Sequence, residues 1–211
     1  RIYLRVREGK SVEVTAPRKV SEREIRDFVV GKTAWLTKYM ALVPEKIKFQ
    51  YVTGEIHHVF GKAYPLQVLL GPRDEAGISS FGELQLVLRT KQSDREAIFK
   101  EGMKRILLLE IVQCFKKWTK RMAIPESWIT GVTIRVMKSR WGSCRSVTGR
   151  FSFALDLVTK PKECIEAVVV HELCHLFAAG HSADFYALME KYLSDYKERG
   201  RLLSSLPREL V

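Results

Sequence analysis

Apolar and polar positions alternate at the start of the chain, through Ile2-Tyr3-Leu4-Arg5-Val6-Arg7 and again at Val12-Glu13-Val14, with Glu8-Gly9-Lys10 between them. A period of two around a glycine-bearing turn predicts a β-hairpin with one covered face. The period then lengthens. Ser21 and Glu24 have capping-box spacing, and Ile25, Phe28, Val29, Trp35, Leu36, Tyr39 and Met40 keep a single helical stripe as far as Pro44. That pattern predicts one helix.

Strand signals return over residues 47–90, where Gly54, Gly61 and Gly71-Pro72 punctuate extended runs such as Leu66-Gln67-Val68-Leu69 and Leu84-Gln85-Leu86-Val87-Leu88. A second Ser/Glu pair, Ser93 and Glu96, opens the longest predicted helix, which reaches about Met122 with Ile98, Ile106, Leu109, Val112, Phe115 and Met122 on its covered side. Beyond Pro125 come a strand at Val132–Val136, a loop at Ser139-Arg140-Trp141-Gly142-Ser143-Cys144 and a returning strand from Phe151. Pro161 suits the first turn of a further helix. Ser182 is placed to cap a last one, with Phe185, Leu188, Met189, Tyr192, Leu193 and Tyr196 as its apolar stripe.

Composition narrows the class. Of 211 residues, 46% are hydrophobic and 28% charged, which is the balance of a globular chain. No apolar run approaches the ~20 residues a membrane helix requires, so no membrane partner is expected. Cysteines 114, 144, 164 and 174 form no CxxC pair and read as reduced thiols of a cytoplasmic protein. The net charge of +12 favours nucleic acid, nucleotides or other anions as possible partners without specifying one. Lys116, Lys117, Lys120 and Arg121 crowd the end of the long helix, where they first of all suit its dipole.

Candidate chemistry gathers at His171-Glu172-Leu173-Cys174-His175, followed by Gly180-His181. Residues four apart on a helix share a face, so His171 and His175 can aim both rings at one point, while Glu172 lies about 100° further round. A continuous helix would carry His181 roughly 15 Å from His171, far beyond the reach of zinc–nitrogen bonds of ~2.0–2.1 Å. Gly180 can break the helix by taking a left-handed conformation and return His181 to the pair. Three imidazoles leaving one open position are the donor set of a catalytic zinc ion. Glu172 is then placed as the general base acting on a water activated by that ion. Asp184 or Glu190 are alternative third ligands, and Cys174 is expected to pack rather than ligate. On a strand, His57 and His58 point to opposite faces and cannot share an ion.

Several of these segments together resemble the YgjP-like minimal zinc metallopeptidases, relatives of the WLM and SprT-like proteases. They are Ser139–Cys144, Phe151-Ser152-Phe153, Val169–Leu176, His181-Ser182-x-x-Phe185, Leu4-Arg5-Val6, Ala16-Pro17 and Gly61-Lys62-x-Tyr64-Pro65-Leu66. The resemblance implies an α+β, zincin-like core made of a long helix, a small mixed sheet, the HExxH helix and a C-terminal helix. It places that core at residues 93–211, after a β-rich N-terminal region at 1–92 with one helix. It implies a hydrolase of peptides or proteins using one zinc ion. It also implies a substrate lying extended beside an edge strand near Arg150–Leu155, which makes Arg140, Trp141, Phe151 and Phe153 candidate substrate-binding residues. Two rival readings keep the metal. A phosphohydrolase acting on nucleotides would use Arg135, Lys138, Arg140, Arg145 and Arg150, but no glycine loop for a phosphate precedes a helix. A DNA-associated protease or binding module of the SprT/WLM kind would use the basic surface; were its zinc structural, a site closed by four protein ligands would be expected.

Overall fold

Residues 2–6, 12–42 and 48–210 are described by the computed structural model, and the chain separates into two units, residues 1–48 and 49–211. In the first, β1 (Tyr3–Val6) pairs antiparallel with β2 (Val12–Thr15), Val6 facing Val12. The expected turn at Glu8-Gly9-Lys10 and the stop at Pro44 lie outside the described residues. Ser21 and Glu24 close the capping box of α1 (Glu22–Val30). The single helix expected here is two, because α1 ends at Gly31 and α2 (Thr33–Leu42) follows. Lys32 N–H reaches back three residues to Val29 rather than four, and the Thr33 hydroxyl donates to the Val30 carbonyl at 2.7 Å. Glycine and threonine are weak helix formers, and here the ladder breaks at them.

The second unit begins with a mixed sheet, β3 (Ile56–Val59), β4 (Lys62–Leu70), β5 (Glu75–Ile78) and β6 (Leu84–Leu88), in the order β3-β4-β6-β5. Only β4 and β6 run parallel. Leu84, Leu86 and Leu88 are buried while Gln85 and Val87 between them are half-buried, the alternation of a strand with one face on a core. That face meets the long helix α3 (Arg95–Arg121). The approach is close: a Cβ on Gly102 would lie 2.3 Å from the Ala76 carbonyl oxygen. Strands β3–β6 therefore pack with the helix that follows them, within the unit that begins at Phe49.

Two details of α3 differ from expectation. Its N-cap is Asp94, which accepts from Ala97 N–H at 3.0 Å, whereas the Ser93 hydroxyl accepts from Thr90 N–H. Its covered stripe is Phe99, Met103, Leu107, Ile111, Phe115 and Trp118, and Leu109 is exposed. Apolar residues occupy more than one face of this helix, so periodicity alone did not choose between them; packing of β5 does.

A three-stranded sheet follows, β7 (Gly131–Arg135), β8 (Gly142–Arg145) and β9 (Arg150–Ala154), in the order β7-β9-β8. The expected edge strand, β9, is thus the central one, parallel to β7 and antiparallel to β8. Phe151 and Phe153 are 1% and 0% exposed and meet Phe115 edge-on at 5.0 and 5.9 Å. Both are core residues, because alternation with Ser152 turns both rings towards α3, and neither is available to a substrate. After a 3-10 turn at Leu155–Thr159 come α4 (Lys162–Cys174), α5 (Ala183–Tyr192) and α6 (Tyr196–Ser205). The last predicted helix is therefore two, separated at Leu193–Asp195. Together these elements form a mixed α+β fold. Among the described residues, no helix is long and apolar enough to cross a membrane.

Candidate active site

Helix α4 is apolar on most of its surface, and Ile165, Val169, Val170 and Leu173 are fully buried. That burial fixes the helix, leaving His171, Glu172 and the following His175 to face a cleft of about 710 Å³. Regular helix ends at Cys174, earlier than the break expected at Gly180. Tighter bonds from Leu176 N–H to Leu173 and from Phe177 N–H to Cys174 carry the chain onward. Gly180, at φ +74°, then makes the left-handed turn that returns His181.

The ligand atoms of His171, His175 and His181 lie within 4.8 Å of one another. The Nε2 atoms of His171 and His181 are 3.0 Å apart, close to the roughly 3.3 Å expected of two nitrogens bound tetrahedrally to one ion at 2.0–2.1 Å. His175 Nδ1 faces the Ala178 carbonyl at 3.2 Å. The carbonyl can only accept, so Nδ1 carries the proton and Nε2 keeps its lone pair for the cleft. Burial, then the neighbouring His175 and His181, push His171 down to about 4, and burial also lowers His175. Neutral imidazoles are the ligating form, so this donor set fits a borderline-soft divalent ion. Asp184 and Glu190 are not in the cluster.

The three rings rest on Phe185, whose centroid lies 4.8, 4.6 and 4.8 Å from those of His171, His175 and His181. Ser182 caps α5 by accepting from Phe185 N–H, which fixes that ring at the helix start. Periodicity assigned Phe185 to an apolar stripe; its position under the histidines depends on the turn at Gly180.

Glu172 is 5% exposed. Burial pushes its carboxyl up to about 7, against the opposing effects of the Arg140 charge and a hydrogen bond with the Cys144 backbone. Strand β8 lies directly on it, so that a Cβ on Gly142 would come within 2.6 Å of Glu172 Oε1. Gly142, Ser143 and Cys144 therefore line the cleft, and they belong to the free edge of the three-stranded sheet. Burial, and then the charge of Glu172, push the Cys144 thiol up to about 11, leaving it a neutral wall residue. Cys174 is fully buried away from the cleft lining, as packing required.

Arg140 and Trp141 form the rim. The Arg208 guanidinium lies 3.8 Å from the Trp141 ring centroid and donates to the carbonyls of Met137 and Arg140, the latter at 3.1 Å. Its segment is tied down in turn. The fully buried Asp156 accepts from the N–H groups of Glu209 and Leu210 at 2.9 and 2.7 Å, and Lys160 donates to the Pro207 carbonyl. Nothing local in the sequence pairs residue 208 with the Trp141 loop.

The remaining candidates lie elsewhere. His57 is buried on β3 and hydrogen-bonded with Glu55, while His58 on the opposite face meets Glu209. At the end of α3, Lys117 pairs with Glu166, and Arg121 lies 4.8 Å from the Trp118 ring. These contacts engage two of the four cations of the basic cluster.

No curated protein matches the chain. Among solved structures it is similar to the metallopeptidase zymogen of Pyrococcus abyssi abylysin, at 20% identity and a TM-score of 0.41 over 48% of this chain and 99% of that one. A second is the metallopeptidase zymogen of Methanocaldococcus jannaschii jannalysin, at 19% identity and 0.40 over 45% and 94%. The YgjP-like metallopeptidase domain matches residues 1–206, which include the first unit, all but the last five residues of the second and every residue of the histidine cluster. By that match over nearly its whole length, the chain belongs to the YgjP-like metallopeptidase family.

Proposed function

We propose that the protein is a zinc-dependent peptidase in which His171, His175 and His181 hold one zinc ion and Glu172 is the general base. The observation that carries this reading is the convergence of three imidazole nitrogens beside the buried Glu172 carboxyl. Zinc held there supplies Lewis acidity towards a carbonyl and makes water a stronger acid.

The chain's own groups do the rest. Glu172 takes a proton from the attacking water and later returns it to the leaving amine. The Cys144 backbone and the small Gly142 fix the carboxylate in position. Strand β8 is an edge strand beside which a peptide can lie extended, with Arg140 and Trp141 at its side.

The test combines metal analysis with turnover. Glu172→Gln is expected to keep one zinc equivalent and lose hydrolysis of a peptide library, while alanine at 171, 175 or 181 removes the zinc. A Glu172→Gln protein that still turns over would exclude the base assignment.

A further inference from the structure

Along α6, Lys197, Gly200, Arg201, Ser204 and Ser205 follow the i, i+3, i+4, i+7, i+8 pattern that places residues on one face. None has a large apolar side chain, and together they line a shallow depression on the helix. The opposite side of α6 supplies buried Leu203 and half-buried Tyr196 and Arg199 to the fold. Gly200 and Ser204 also line the active-site cleft, so the two hollows meet across these small residues.

Gly200 has no structural reason to be glycine. It lies inside a helix, where glycine weakens the element relative to alanine. Its φ is outside the left-handed range, and a Cβ built on it meets nothing within 4 Å. What the missing side chain does is lower the wall between the cleft and the depression. Two cations one turn apart flank that crossing. Lys197 and Arg201 are both exposed, and Lys197 Nζ lies 5.5 Å from the ring of Tyr196, itself a cleft residue. Of the carboxylates nearby, Asp195 and Glu166 are held by Arg199 at 2.9 and 2.7 Å, and Glu198 is exposed on the same helix.

Resting on the peptidase reading, we propose that the substrate chain leaves the cleft over Gly200 and Ser204 and that the Lys197–Arg201 depression is a subsite for a carboxylate. The carboxylate is either an Asp or Glu side chain or the substrate's own C-terminus.

The test uses quenched fluorescent peptides sharing one cleaved core, with a single Glu, Gln or Lys moved outward from the cleaved bond on either side. A parallel pair carries a free or an amidated C-terminus, which separates the two sources of carboxylate. The expected result is one position at which Glu raises kcat/KM about tenfold over Gln and Lys lowers it. That advantage shrinks in about 0.5 M salt. The double variant Lys197→Glu/Arg201→Glu is expected to invert the Glu-to-Lys ratio, and Gly200→Leu to abolish the advantage. Equal rates throughout both series, or an unchanged ratio in the double variant, overturn the subsite. If no peptide is cleaved, the peptidase reading fails instead. Fluorescence anisotropy of the same peptides on zinc-loaded Glu172→Gln protein then decides the subsite: tighter binding of a carboxylate peptide supports it, and equal binding overturns it.

Discussion

The guanidinium of Arg208 stacks 3.8 Å from the Trp141 ring centroid while holding the carbonyl of Arg140. One side chain from the end of the chain thus fixes both rim residues of the cleft. Arg208→Ala is expected to lower kcat/KM about tenfold, mainly through KM, with zinc content unchanged. Arg208→Lys restores only part of this, because an ammonium lacks the planar fork that bonds two carbonyls while stacking. Steady-state kinetics on one peptide checks it, and an unaltered KM in Arg208→Ala would contradict the positioning role.

Gly142 leaves room for the Glu172 carboxyl. Gly142→Ala puts a methyl within 2.6–2.9 Å of three Glu172 atoms, so the carboxylate must shift. The expected loss in kcat is about 10²-fold, with zinc retained. Turnover near wild type would mean that β8 yields instead of Glu172.

Burial makes Glu172 a stability liability in the metal-free protein. Its folded pKa of about 7 lies above the ordinary glutamate value of 4.5, so folding favours the protonated form. Its contribution is therefore fully present below pH 4.5 and lost as pH rises towards 7. Metal-free Glu172→Gln is expected to match wild type near pH 4 and to exceed it by about 2–3 kcal/mol above pH 7. Urea titrations at both pH values measure this, and equal stability at pH 8 would contradict it.

Glu166 works in the opposite sense. Burial alone would raise it, but hydrogen bonds from Lys117, Arg199 and Trp118 outweigh that effect and hold its carboxyl at about 2. A depressed carboxyl stabilises above its unfolded value of 4.5 and loses that contribution as pH falls towards 2. Glu166→Gln is expected to cost about 2–3 kcal/mol at pH 7 and progressively less below pH 4. Thermal unfolding across that window shows whether the gap closes.

Local spacing was informative wherever one helix or strand decides the outcome. The i, i+4 histidines, the Gly180 turn, the Ser21 and Ser182 caps and the opposite facing of His57 and His58 all follow from backbone period. What spacing could not supply was strand order. Phe151 and Phe153 looked available to a substrate only while β9 was taken for an edge; once β8 takes that place, Gly142–Cys144 become the cleft wall. Asp156 and Lys160 hold the 207–210 segment and Arg208 from that segment holds the Trp141 loop, ties between distant segments that no local pattern joins. The covered face of α3 was ambiguous for a related reason, since several of its faces are apolar and only packing with β5 selects one.

Phe185 touches all three imidazoles, and it is held there by core packing and by the Ser182 cap. That packing predicts rings ordered when the chain folds rather than when an ion arrives. Small structural zinc modules do the reverse, because there the metal drives folding itself. Metal uptake is then expected to be a local event on a finished scaffold, and a chelator should leave behind a folded, reloadable protein rather than an unfolded one.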